Sequence, residues 1–270
     1  MTIKAVLTDL DGTLIDFNGL YDKKVPSLIQ ELKQNNINVS LATGRAYFGD
    51  VSRIVKELDL SPLTIVNGGG MIINHMTGEA PWHKPLSDES ARYIVDYLIK
   101  TNYIFSLETK EDAYMMKIVP TRAYPHDFVV HAFNKADLPK QILKILVHGM
   151  ANKLPEIEID KHINNIKDKC KDISVMKFAY KEYFGIDFTS EGATKHTAVL
   201  EYAKTLGISP REIIAVGDGF NDYPLFTACG YTIAMGSAPK ELKDIADIIV
   251  SRSADGGMRE ALEHIIFLMK

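Results

Sequence analysis

The sequence predicts an α/β fold: a parallel sheet with helices on both faces, interrupted by a smaller inserted α/β domain. Three observations carry that expectation. From residue 3, short β-branched runs alternate with helix-like stretches, the rhythm of βαβ units. The same rhythm returns from residue 194. Between them, roughly 84–188, the texture changes, with neither a fixed-period repeat nor a biased linker, so the domains are expected at 1–83 with 189–270 and at 84–188.

The first half reads as strand 3–10, helix 22–34, strand 37–42, helix 46–58 and strand 63–66. In the insertion a helix is expected after Ser87, a suitable N-cap followed by Asp88 and Glu89, with Ala91, Ile94, Val95 and Leu98 on one face. Strands follow at 103–109 and 113–119. Periodicity leaves 141–148 open between helix and strand; strand is preferred because 151–170 then forms the longer helix. Strands 173–179 and 183–189 close the insertion. The second half reads as helix 194–206, strand 212–216, helix near 221–228, strand 231–235, helix near 239–246, strand 247–250 and a final helix from about 255.

With 270 residues, 46% hydrophobic and 24% charged, the chain is long enough for a substantial core. A net charge of −4 is too acidic for the broad basic field of a nucleic-acid binder. The longest apolar run, Ile265 to Met269, falls far short of the roughly 20 residues a spanning helix needs, so no membrane partner is expected. The amino terminus lacks the continuous apolar stretch of a secretory signal, and a cytoplasmic protein is expected. Cys170 and Cys229 form no metal or disulfide pattern and read as reduced packing residues.

Four short constellations carry chemistry. Thr8-Asp9-Leu10-Asp11-Gly12-Thr13 follows the opening strand. Asp-Gly alone is a hairpin turn signal, but ligands gather at strand carboxyl ends in open α/β sheets, where Asp9 and Asp11 would sit. One carboxylate there can attack phosphorus, and a second can pass a proton to the leaving oxygen. Leu41-Ala42-Thr43-Gly44-Arg45 stands at another strand end. Thr43 is either a plain N-cap or, with Gly44, part of a phosphate cup of hydroxyl and free N–H groups at a helix start; Arg45 ranks below both. Lys195, in Thr194-Lys195-His196-Thr197, opens a helix against its dipole, which makes most sense beside an anion. His196 reads as a surface or packing residue.

Gly217-Asp218-Gly219-Phe220-Asn221-Asp222 is the fourth. It fails as a dinucleotide fingerprint because Asp222 replaces the last small residue. It fails as an EF-hand because Phe220 and Tyr223 hold a ligand position and the glycine position. An acidic metal-binding loop at a strand end remains. If Asp9, Asp218 and Asp222 meet at a phosphate, each pair of charges 4 Å apart repels by about 4 kcal/mol at an effective dielectric near 20. One Mg²⁺ and Lys195 together supply the three positive charges that cancel the three carboxylates, and a hard cation suits oxygen donors.

In this order, TDLDGT, LATGR, the lysine of TKHTAV and VGDGFND resemble the four motifs of the haloacid dehalogenase-like phosphohydrolase superfamily. Asn67-Gly-Gly-Gly70 before the insertion, Ala234-Met-Gly-Ser-Ala238 and Asp255-Gly-Gly257 further resemble its Cof-like subfamily with a type-IIB cap. The likeness implies a Rossmann-like core, a cap formed by the insertion, and a Mg²⁺-dependent phosphatase working through an aspartyl-phosphate. It implies Asp9 as nucleophile and metal ligand, and Asp11 as general acid/base lending its backbone carbonyl to the metal. Asp218 would be the second carboxylate ligand, with Asp222 holding a metal-bound water. Thr43, Gly44, Lys195 and Asn221 would hold the phosphoryl oxygens.

The chain departs from the subfamily at Asn67-Gly68-Gly69 and Ser237, which are expected to leave the chemistry untouched, and at His196 and 223–226, which are expected to keep the reaction class but to bear on packing or pocket shape. Small soluble phosphomonoesters are the expected substrates, sugar phosphates foremost. Tyr114, Tyr124, His126, Tyr180 and Tyr183 are candidates for contact with the substrate, against plain packing. A phosphomutase using the same phosphoenzyme and a non-catalytic binding protein are the alternatives. The intact set of Asp9, Asp11, Lys195 and Asp218 speaks against the latter.

Overall fold

The computed structural model describes residues 2–121, 130–180 and 182–270. The chain divides into two compact units. One runs to Gly44 and adds Asp50–Trp82 and Thr194–Lys270; the other comprises Arg45–Gly49 and His83–Ala193.

The first unit opens with β1 (Ala5–Thr8), α1 (Val25–Gln34), β2 (Asn38–Leu41), α2 (Asp50–Glu57), β3 (Leu63–Val66) and β4 (Met71–Asn74). The short β5 (Trp82–His83) ends this stretch. The expected helix 46–58 starts only at Asp50, so it is shorter than its apolar pattern suggested. A 3-10 turn at Asn67–Gly69 joins β3 to β4.

The inserted unit contains α3 (Asp88–Lys100), β6 (Phe105–Glu108), β7 (Ala113–Met115), β8 (Val130–Ala132), β9 (Lys144–Val147), α4 (Gly149–Asn152), α5 (Glu156–Lys169), β10 (Ile173–Tyr180) and β11 (Tyr183–Ser190). Ser87 caps α3, accepting from the Ser90 N–H, and the apolar stripe of Ala91, Ile94, Val95 and Leu98 is buried as its spacing predicts. The strand preferred at 141–148 is present as β9. The single helix expected over 151–170 is two: Lys153 takes φ 53° and Pro155 stands at the cap, so the chain turns before α5 begins.

Among the described residues, the inserted sheet has the order β10-β11-β9-β6-β7-β8. One face, with Phe105, Leu107, Ile145, Val147, Ile186 and Phe188, packs against α3 and α5. Strand alternation puts Glu108, Lys144 and Asp187 on the other. There Lys144 Nζ lies 3.1 Å from Glu108 and 3.7 Å from Asp187, all three largely shielded from water.

The chain returns through α6 (Lys195–Leu206), β12 (Ile213–Gly217), α7 (Tyr223–Phe226), β13 (Tyr231–Ala234), α8 (Lys240–Lys243), β14 (Ile248–Ile249) and α9 (Gly257–Leu268). The core sheet of this first unit is parallel throughout, in the order β14-β13-β12-β1-β2 among the described residues. Its central strands read as unbroken apolar runs because both faces are covered. Ala5, Leu7, Ile213 and Ala215 pack with α6, α7 and Leu242 of α8. On the opposite face the Thr8 hydroxyl reaches Met258 of α9 at 3.9 Å. A bridge from Ala42 to Ile65 carries the parallel order one strand further, to β3.

From β1 the chain steps one way to β2; from β12 it steps the other way to β13. The crevice between the ends of β1 and β12 is therefore the topological switch point, where open α/β sheets bind ligands. No helix among the described residues is long and apolar enough to cross a membrane.

Candidate active site

Asp9 is the first residue beyond β1, its N–H bonded to Val216 O of β12 at 2.9 Å. Asp218 is the first beyond β12. Adjacent strands thus deliver two carboxylates to one sheet end although 209 positions separate them in the chain.

After Asp9 the chain closes a tight turn: Gly12 N–H donates to Ile15 O (2.8 Å) and Ile15 N–H to Leu10 O (3.0 Å). Gly12 takes φ 75°, and a Cβ on it would stand 2.3 Å from Asp218 Oδ2. Glycine is required twice over, for the conformation and for the close approach. Asp11 is half-buried in this turn. Its charge adds to the upward push on both Asp9 and Asp218.

Thr194 caps α6, its hydroxyl accepting from Thr197 N–H at 3.2 Å, which leaves Lys195 at the first helical position. The lysine is buried, and Nζ donates to Asp9 Oδ1 and to Asp222 Oδ1, each at 2.6 Å. These are the anions that its position against the helix dipole called for. Asp222 is fully buried, and its Oδ2 accepts from the N–H groups of Asp218 (2.9 Å) and Gly219 (3.0 Å). It therefore folds the acidic loop and seats the lysine at once.

Asp9, Asp218 and Asp222 each offer an oxygen within 4.8 Å of the others, the only such group of three among the described residues. Burial first, then the Asp222 charge, raises the Asp9 carboxyl well above its ordinary range against the pull of Lys195. The same two causes push Asp218 up to about 7. Burial works against the Lys195 charge, yet Asp222 and Asp9 outweigh it and hold the ammonium above its usual value. Positive charge is in short supply here, and the donors are all carboxylate oxygens. Such a set fits a hard divalent cation.

Other expected residues are placed less directly. Thr43 is buried at the end of β2, one strand from Asp9, but it does not cap a helix. Residues 44–49 separate it from α2, and its N–H is spent on Ile65 O at 3.0 Å. The expected cup at a helix start is corrected accordingly, since no helix begins beside Thr43. Gly44 follows it, partly exposed, and Asn221 sits in the 3-10 turn Phe220–Asp222, also partly exposed. His196 Nδ1 forms a surface hydrogen bond with Thr227 Oγ1 at 3.1 Å.

Tyr124 and His126 lie outside the described residues, as does the side chain of Tyr180. Tyr114 packs on the insertion's core and beside His131, and Tyr183 pairs across the β10–β11 hairpin.

Two residues escaped the sequence reading. Thr13 donates to Asp218 Oδ1 at 3.3 Å. Gly69, at φ 98°, would place a Cβ 2.2 Å from the Thr194 carbonyl carbon and 2.5 Å from Lys195 N. Gly69 thus lets the β3–β4 turn lie against the start of the helix that carries the lysine. The run of three glycines was the available signal.

Acidic oxygens and a buried lysine thus meet at the switch point of a parallel α/β sheet, the place where enzymes of this architecture bind their ligands. The model of the haloacid dehalogenase-like hydrolase family matches residues 6–262, and the chain belongs to that family. It is 26% identical to Phosphatase YwpJ of Bacillus subtilis (strain 168), over 98% of this chain and all of that one. It is also 26% identical to 5-amino-6-(5-phospho-D-ribitylamino)uracil phosphatase YwtE of the same organism, over 98% of each. A solved structure described as the subclass IIB sugar phosphatase BT4131 superposes with a TM-score of 0.78 at 18% identity, covering 98% of that chain and 97% of this one. The chain is a phosphatase of the family.

Proposed function

We propose that the protein hydrolyses small soluble phosphomonoesters, sugar phosphates foremost, with Mg²⁺ and through an aspartyl-phosphate on Asp9. The observation that carries this reading is Lys195 Nζ set 2.6 Å from both Asp9 and Asp222, beside the Asp218 carboxylate. Asp9, Asp218 and the backbone carbonyl of Asp11 would hold Mg²⁺, with Asp222 acting at one remove through a water, and the ion would supply the charge that admits a phosphate dianion among carboxylates.

Lys195 occupies Asp9 Oδ1, so attack on phosphorus falls to Oδ2. The new O–P bond forms as the ester P–O bond breaks, and Asp11 gives the leaving oxygen a proton. Asp11 then takes a proton from the water that attacks the aspartyl-phosphate, releasing phosphate and restoring Asp9. An ammonium has three donors and two are spent, so the third is left for a phosphoryl oxygen. The Thr43 hydroxyl, Gly44 and Asn221 hold the others, where positioning and charge do most of the work. Residues 84–188 would serve as a cap domain that helps to choose the substrate, with 1–83 and 189–270 as the catalytic core. The names of two compared proteins, a sugar phosphatase and a 5-amino-6-(5-phospho-D-ribitylamino)uracil phosphatase, support a small phosphomonoester as substrate, with sugar phosphates foremost.

Phosphate release should be measured across sugar phosphates, nucleotides and cofactor phosphates with Mg²⁺, beside Asp9→Asn. Turnover should appear in the wild type and vanish in the variant, whose thermal melt stays unchanged. Normal turnover by Asp9→Asn would overturn the mechanism, and an isomerised phosphoester in place of free phosphate would mark a mutase.

A further inference from the structure

Thr13 closes the TDLDGT motif, yet the reaction outlined above gives it no task. It is completely buried, and its hydroxyl points across 205 positions of sequence to Asp218 Oδ1, 3.3 Å away. The turn it belongs to is closed by its own amides, with Thr13 N–H on Leu10 O at 3.4 Å beside the Gly12 and Ile15 bonds. A β-branched side chain in such a turn has little rotamer freedom, so the hydroxyl is fixed in place before any ligand arrives.

Asp218 is held on three sides. Its N–H is bound by Asp222 Oδ2 at 2.9 Å. Its Oδ2 stands where Gly12 leaves no side chain, 2.3 Å from the position a Cβ would take. Its Oδ1 faces the Thr13 hydroxyl, a donor at 3.3 Å that favours one rotation of the carboxylate about its own axis. The donor is neutral, so it orients Asp218 without cancelling the negative charge a cation needs. Lysine in the same place would have done the opposite.

We propose that Thr13 is a positioning residue for the metal: it orients the Asp218 carboxylate so that the site is preformed for a divalent cation. The inference rests on the metal reading given under Proposed function. Partners that orient ligating carboxylates typically carry 10–100-fold in metal affinity or activity.

The test is Mg²⁺ binding to the full chain, followed by titration calorimetry without substrate, for wild type, Thr13→Val, Thr13→Ala and Thr13→Ser. Valine keeps the branched shape and loses the donor; alanine loses both; serine keeps the donor. Loss of roughly 10-fold in Mg²⁺ affinity is expected for valine and alanine, with serine within about 3-fold of wild type. Wild-type affinity in valine or alanine overturns the proposal, as does a serine variant as weak as valine, which would make Thr13 a packing residue. Wild type that binds no Mg²⁺ strikes instead at the metal reading itself, so the two failures are told apart.

Discussion

Lys195 and Asp218 show how single residues in this site depend on charge that their neighbours supply. With its carboxyl pushed up to about 7 by burial and by Asp222, Asp218 holds a proton below that pH that a cation must displace. Its raised value means the proton is favoured in the folded, metal-free protein, and the carboxylate becomes available only as pH rises through about 7. Mg²⁺ affinity is therefore expected to fall about tenfold per unit on going below pH 7, with a proton released on binding. Calorimetry at pH 6, 7 and 8, in two buffers of different ionisation enthalpy, checks both; a flat profile would remove Asp218 from the ligand set. Asp9, Asp218 and Asp222 were legible in the sequence because strand ends and acidic side chains are local facts. Thr13 was not, since nothing within its own turn says that residue 218 lies above it.

At the scale of elements, placement of the lysine depends on how α6 begins and on what lies against its first turn. Gly69, at φ 98°, brings the β3–β4 turn so near Thr194 that any side chain would meet backbone atoms. Gly69→Ala is expected to lower stability by roughly 1–3 kcal/mol through strain. It should also lower kcat by about 10²-fold as Lys195 shifts from its seat between two carboxylates. Thermal melts beside steady-state kinetics separate the two effects; an unchanged kcat would show that the helix start absorbs the intrusion. Long amphipathic elements such as α3 were readable from spacing alone. The start of α2 and the break before α5 were not: apolar periodicity runs on through residues whose backbone turns, and the left-handed Lys153 has no sequence mark of its own. The two-residue β5 and the three-residue β8 are too short to show a period at all, and β7 covers only the start of the strand expected at 113–119.

For the whole molecule, each compact unit carries its own core, and the inserted one also carries a buried ionic cluster. Lys144→Met takes away a cation that lies beside both Glu108 and Asp187 in shielded surroundings, and breaking such a buried pair typically costs about 3–5 kcal/mol. Hydrogen exchange is expected to show lost protection in β6, β9 and β11 while β1 and β12 keep theirs. Equal loss in both units would mean that they unfold as one. The division into a parallel core and an insertion was visible in the changing rhythm of the chain, but this cluster was not, because register across three strands brings Glu108, Lys144 and Asp187 together.

The central place of β1 bears on how the chain comes into being. On its β12 side, β1 has no partner until residues 213–217 have been synthesised, more than two hundred residues after β1 itself. Throughout that interval the ribosome-bound chain displays an apolar strand with an open edge, the template on which neighbouring polypeptides pair. The hazard of aggregation falls on the unfinished chain, and it ends when the last third of the polypeptide arrives to close the sheet and complete the acidic cluster together.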